Sequence, residues 1–207
     1  MITSNIGKIF LDAYNEKYGT SYDAKTFFLE QFYPLFFDQN KYMMTAGNSP
    51  LENPKLSWDD MIKGKKPFET PEQRKIRFEK LIKKIEESEA DASIARGYAS
   101  LDVAATTSGQ VTDLKLPNSQ EEIYASWIGD ALGIGVQGGF SILFSNKEIL
   151  LDIFEGWKLY RTSLNETTML KGNQINTWNG QWLSHYYDPR EYDADMPLAG
   201  YSPYNTN

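Results

Sequence analysis

The sequence predicts an α+β fold: a predominantly helical single domain with a small β-sheet. Three observations predict it. Apolar residues recur at helical spacing behind recognisable N-caps in several separate stretches. Only three short runs, "SLDVA", "QVTDLKL" and "FSILF", read as strands, too few and too irregularly spaced for a doubly wound sheet. The 207 residues, 41% hydrophobic and 14% aromatic, suffice for one sizeable core. Nothing reads as a linker, so residues 1–207 form one unit. Within it, residues 1–96 are helical, residues 97–170 are mixed, and residues 171–207 are an aromatic-rich, irregular tail.

The first helix follows from Ile6, Ile9, Phe10, Ala13 and Tyr14, and Gly19 ends it. Asp23 is the N-cap of a second, "AKTFFLEQFYPLFF", whose apolar residues are too dense for a surface stripe. Pro34 is expected to kink that helix or stop it a turn early. Residues 39–54 read as loop. "TPEQ" then gives the strongest helix start, with Thr70 as cap, Pro71 at the first helical position and Gln73 completing a capping box. That helix runs to about Ser88, with Phe78, Leu81, Ile82 and Ile85 apolar and Arg74, Arg77, Lys80 and Lys84 elsewhere on its surface.

"SLDVA" and "QVTDLKL" are candidate hairpin strands. "SQEE" supplies a second capping box, Ser119 with Glu122, before a helix whose Tyr124, Trp127, Ile128, Ala131 and Leu132 share a face. A glycine cluster follows, then "FSILF", expected to be a buried strand. Asn146 caps the next helix, which carries Ile149, Leu150, Ile153, Phe154 and Trp157.

The glycine cluster contains a G-x-G-x-x-G match at Gly133, Gly135 and Gly138. A dinucleotide site needs a strand before the motif and a helix after it, so that the helix N-terminus meets the phosphates. Here the order is reversed, and no nucleotide cofactor is expected. The glycines read instead as a helix C-cap at Gly133 or Gly135, then a close backbone approach at Gly138–Gly139.

Charge narrows the function classes. A net charge of −7 argues against a broad nucleic-acid binder, yet residues 63–84 hold nine basic and three acidic residues, +6, leaving −13 for the rest. A local basic surface suits an anionic partner, with Lys75, Arg77, Lys80 and Lys84 as backbone contacts for nucleic acid. Absence of cysteine excludes disulfides, thiol nucleophiles and thiolate metal sites. The N-terminus lacks the unbroken apolar core of a signal peptide, and no apolar run reaches the ~20 residues of a membrane span. A cytoplasmic protein without membrane contact is expected.

The sharpest chemical pattern is "SLDVAATTSGQVTDLKL". Asp102 on one candidate strand precedes Asp113-Leu114-Lys115 on the next, and alternation puts Asp113 and Lys115 on one face. Two aspartates can hold Mg2+, with Lys115 orienting the attacking water. Over these seventeen residues the chain resembles the PD-(D/E)-x-K nuclease superfamily, with Asp102 and Asp113 at the positions of its metal ligands and Lys115 at that of its lysine. It lacks the proline before Asp102. The resemblance implies a Mg2+-dependent phosphodiesterase acting on nucleic acid.

A different class of function comes from "NTWNGQWLSHYYD". Trp178, Trp182 and Tyr186 are four apart, so one helical face could present them to the domain's own core, to a larger protein or nucleoprotein partner, or as a platform for stacking on sugars or unpaired bases. A non-catalytic interaction subunit is therefore the alternative. His185, the single histidine, rules out multi-histidine zinc sites, and its acidic neighbourhood reads as an exposed loop.

Overall fold

The computed structural model describes residues 1–45, 50–51, 58–88, 93–97, 119–136, 140–170 and 175–201. They form a mostly helical fold with one two-stranded antiparallel sheet.

Helix α1 (Ile2–Tyr18) ends where Gly19 takes a left-handed conformation, φ 64°. Asp23 opens the second helical run as the sequence predicts, its carboxylate accepting from Thr26 N. The run comprises α2 (Ala24–Phe27), a π-helical segment (Phe28–Phe32) and α3 (Tyr33–Phe36). Pro34 therefore neither stops the helix nor shortens it. An α-helix would ask Pro34 for an N–H it lacks and drive its ring against the carbonyl of residue 30. The wider π turn, in which Tyr33 N donates to Phe28 O, absorbs that conflict just before the proline.

After α4 (Trp58–Ile62), α5 (Pro71–Glu87) begins with the complete predicted capping box at Thr70 and Gln73. Leu81 and Ile85 are buried, and Phe78 packs on Tyr33 with ring centroids 4.0 Å apart.

Helix α6 (Gln120–Ala131), capped by Ser119, is the centre of the fold. The sequence marks one apolar face, but the helix is buried all round, every residue from Ile123 to Gly129 included. Gly129 is what lets α1 reach it. A methyl group there would overlap the Thr3 carbonyl oxygen and lie 2.8 Å from Gly7 N, and one at Gly7 would overlap Ala125 O. The two helices thus cross backbone to backbone.

The end of α6 departs from the expected glycine cap. Its C-cap is Leu132, and neither Gly133 nor Gly135 has positive φ. The terminal carbonyls are satisfied by amides from far along the chain. Asn179 Nδ2 donates to Ala131 O (2.7 Å) and Gly133 O (2.8 Å), and Asn176 Nδ2 to Asp130 O and Gly133 O, both at 3.0 Å. Side chains this close leave no room at Gly133, where a Cβ would sit 2.8 Å from Asn176 Nδ2.

Strands β1 (Ile134–Val136) and β2 (Phe140–Ile142) pair antiparallel, Ile134 opposite Ile142 and Val136 opposite Phe140. "FSILF" thus forms its sheet with the glycine-rich segment before it, and β2 is exposed, not buried. "SLDVA", "QVTDLKL" and Gly138–Gly139 lie outside the described residues.

Asn146 caps α7 (Lys147–Glu166), accepting from Glu148 N and Ile149 N. The stretch expected to be an irregular tail contains a further helix, α8 (Ile175–Tyr186). It seats against α7, where Gly156 leaves the space that the Trp182 indole fills, a Cβ there lying 2.6 Å from its Nε1. One apolar core runs from Ile6 through Phe27, Trp127 and Trp157 to Trp182.

Candidate functional site

The predicted residues fall into three groups. Asp102, Asp113 and Lys115 lie outside the described residues. Among the described residues no three His, Asp or Glu side chains group to hold a metal ion.

The four cations assigned to nucleic acid sit on α5, but the helix does not present them together. Arg77 turns inward: it pairs with Glu69, donates to Leu51 O (3.0 Å) and lies over the Tyr42 ring. Burial pulls its guanidinium below its usual range, with the neighbouring tyrosines opposing. Lys84 donates to Ser93 Oγ, which ties α5 to residues 93–97. Lys75 is exposed and faces Glu79 at 4.0 Å; Lys80 is exposed as well. Along the whole helix, three lysines (75, 80, 83) and four glutamates (72, 79, 86, 87) are exposed. The excess positive charge of this helix in the sequence is thus drawn into the fold, and its water-facing side is mixed in sign.

The aromatic row lies along α8, and it points inward. Trp178 and Trp182 are buried, Trp182 only 1% exposed. Trp178 stacks on Tyr160 at 4.2 Å, and Trp182 Nε1 donates to Asp152 O at 2.9 Å. These two indoles are packed in the core, where the 188–201 segment folds back over them through Tyr192 and Tyr201. Tyr186 is half-buried against Tyr192. His185 is inside the same cluster, its Nε2 3.0 Å from Pro197 O and its ring stacked on Tyr201 at 4.7 Å. It is a packing residue; Asp188 and Asp193 instead fix local turns, accepting from Arg190 N and Asp195 N.

Exposed apolar surface includes part of "FSILF", which the sequence pattern assigns to a buried strand. Cross-strand register places Ile134, Val136, Phe140 and Ile142 on one face of the hairpin; Ile134 packs on the core, and the other three are exposed, Phe140 by 72%. The hairpin is held to the body by β1, where Ile134 and Gly135 lie against Gly180 and Asn176 of α8.

A second feature invisible in the sequence is a group of buried cations around residues 38–41. Lys41, 8% exposed, donates from Nζ to the carbonyls of Leu164, Thr167 and Thr168 at 3.0, 2.6 and 3.0 Å, capping the C-terminus of α7. Arg161 does the same for α3, donating to Leu35 O, Phe36 O and Lys41 O. Burial pulls its guanidinium down to about 10, so it remains charged at neutral pH. Arg74 completes the group, bound to Asp38, Asn40 and Glu69 O. Helix-terminal carbonyls and one exposed aspartate, not buried carboxylates, compensate these charges.

No helix among the described residues is long and apolar enough to cross a membrane. Comparison with family models, curated proteins and solved structures gives no match to this chain.

Proposed function

We propose that this protein is a non-catalytic interaction subunit that docks on a larger protein through the exposed face of the β1–β2 hairpin. The observation that carries the proposal is the exposed part of the hairpin's apolar face, Val136, Phe140 and Ile142, on a sheet that has two strands among the described residues. A contiguous exposed apolar patch is a feature of contact surfaces, whereas single exposed apolar residues are ordinary. The proposed docking surface lies outside the 171–207 region to which the aromatic pattern assigns it, with Phe140 in the role that aromatic spacing suggests for Trp178 and Trp182.

The test is Phe140→Asp. Burying a phenylalanine contributes about 2 kcal/mol, so its loss weakens partner binding by roughly 30-fold. The melting temperature should stay unchanged, because the side chain is exposed. Undiminished binding by Phe140→Asp contradicts the proposal.

The second reading, a Mg2+-dependent phosphodiesterase, rests on the spacing of Asp102, Asp113 and Lys115 alone. Two carboxylates would hold the ion and Lys115 the attacking water. In that reading Asp113→Ala abolishes Mg2+-dependent cleavage of DNA or RNA while the fold survives; a chain that never cleaves removes it.

A further inference from the structure

A cleft of about 420 Å3 opens between the 38–41 segment, the first turns of α5 and the C-terminal end of α7. Its volume suits a small molecule. Its wall includes hydrogen-bond donors that meet no acceptor among the described residues.

Arg74, 9% exposed, donates from Nε to Asp38 Oδ1 (3.0 Å) and from Nη1 to Asn40 Oδ1 (3.3 Å) and Glu69 O (2.8 Å). Its Nη2 makes no hydrogen bond among the described residues. Asn40 turns its oxygen to this guanidinium, which directs its amide nitrogen away from it. Asn165 likewise turns its oxygen to Arg161 Nη1 at 3.4 Å, leaving its nitrogen without an acceptor among the described residues. Two buried cations thus orient two amides so that each offers a donor, and both amides line the same cleft as Arg74. Lys41 adds positive charge but no donor, since all three of its N–H groups are bound to carbonyls. The single carboxylate of the lining, Asp38, already accepts from Arg74. Ile62, Phe68 and Leu164 supply an apolar wall beside these donors.

We propose that this cleft binds the carboxylate of a small organic acid, held by Arg74, Asn40 and Asn165, with its apolar body against Ile62, Phe68 and Leu164. A monoanion fits better than a phosphate dianion, because Asp38 stands at the rim and Lys41 has no donor left to give. This site is separate from the hairpin face and independent of the docking proposal.

The experiment titrates the 15N-labelled full chain with sodium hexanoate at constant ionic strength and follows the side-chain amides of Asn40 and Asn165. Saturable shifts are expected, with hexanoate binding about tenfold tighter than acetate, because only hexanoate reaches the apolar wall. Asn165→Asp keeps the oxygen that Arg161 needs and replaces the donor with negative charge. It should weaken hexanoate binding at least about tenfold at unchanged melting temperature. Asn40→Asp provides the same exchange beside Arg74 should Asn165→Asp fail to fold. The proposal is overturned if hexanoate produces no saturable shift or if chloride produces the same one. Unchanged affinity in both aspartate variants overturns it too, as does inorganic phosphate binding more tightly than hexanoate.

Discussion

Replacing Gly129 with alanine should be among the most damaging single-methyl additions in this protein. The site lies inside α6, where helix propensity alone favours alanine over glycine by about 1 kcal/mol. The tertiary contact decides otherwise. The added carbon overlaps the Thr3 carbonyl oxygen and sits 2.8 Å from Gly7 N, and both obstacles are backbone atoms of α1 that cannot rotate aside. The helices must move apart by on the order of 1 Å, which forfeits a quarter to a half of the dispersion energy across their interface. Overpacking of this kind typically costs ~1–3 kcal/mol, and a backbone-on-backbone clash belongs at or beyond the upper end. After the propensity gain is subtracted, a net loss of about 2 kcal/mol or more is expected. For a chain of this length a loss of about 2 kcal/mol lowers the melting temperature by roughly 4–8 °C. Urea unfolding of the wild type, Gly129→Ala, Gly7→Ala and the double variant measures it. The double variant should lose less than the sum, since one separation relieves both clashes. A Gly129→Ala protein as stable as the wild type, or more so, would mean that propensity alone governs the site and that α1 and α6 do not cross there.

Two further outcomes follow from the same structure. Trp182→Ala removes a buried indole that donates to Asp152 O and fills the space over Gly156, so it should cost ~3–5 kcal/mol, read as a large loss of urea stability; a variant as stable as the wild type would return that residue to the surface. Glu155 sets an acid dependence. Burial raises its pKa, but hydrogen bonds from Tyr18 and Lys158 and the charges of Lys158 and Lys17 hold it below 4.5 overall. A carboxylate whose pKa is depressed by folding stabilises the fold above its unfolded pKa and loses that contribution as pH falls through the folded one. Melting temperatures should therefore drop below about pH 4.5. Glu155→Gln should flatten part of that drop; an identical acid limb in the variant would contradict the assignment.

The elements of the fold legible in the sequence are those encoded over short range. Asp23, Thr70, Ser119 and Asn146 each cap the helix that their spacing announces, because a cap needs only the next two or three residues. What sequence reading misses depends on partners far along the chain. Gly7 and Gly129 look like weak points in two helices until they are brought together. Gly133 looks like a left-handed cap, but Asn176 and Asn179 supply the capping instead. Arg74 and Arg77 read as surface charge on an amphipathic helix, since nothing local reveals that Asp38 and Glu69 wait for them. The tryptophan row does share one helical face, yet helical spacing cannot say whether that face looks at solvent or at the next segment of the same chain. Buried and exposed strands of three residues are likewise indistinguishable by pattern, which is why "FSILF" reads as core while Phe140 stands in solvent.

The docking proposal is tested most directly by a photoreactive phenylalanine analogue placed at position 140, with a second copy of the experiment at the α5 surface position 75. Irradiation in the presence of cellular partners should give a defined protein adduct from position 140 and no nucleic-acid adduct from position 75. Nucleic acid captured at position 75, with no protein adduct from position 140, would contradict the account and return the basic helix to the centre of the function.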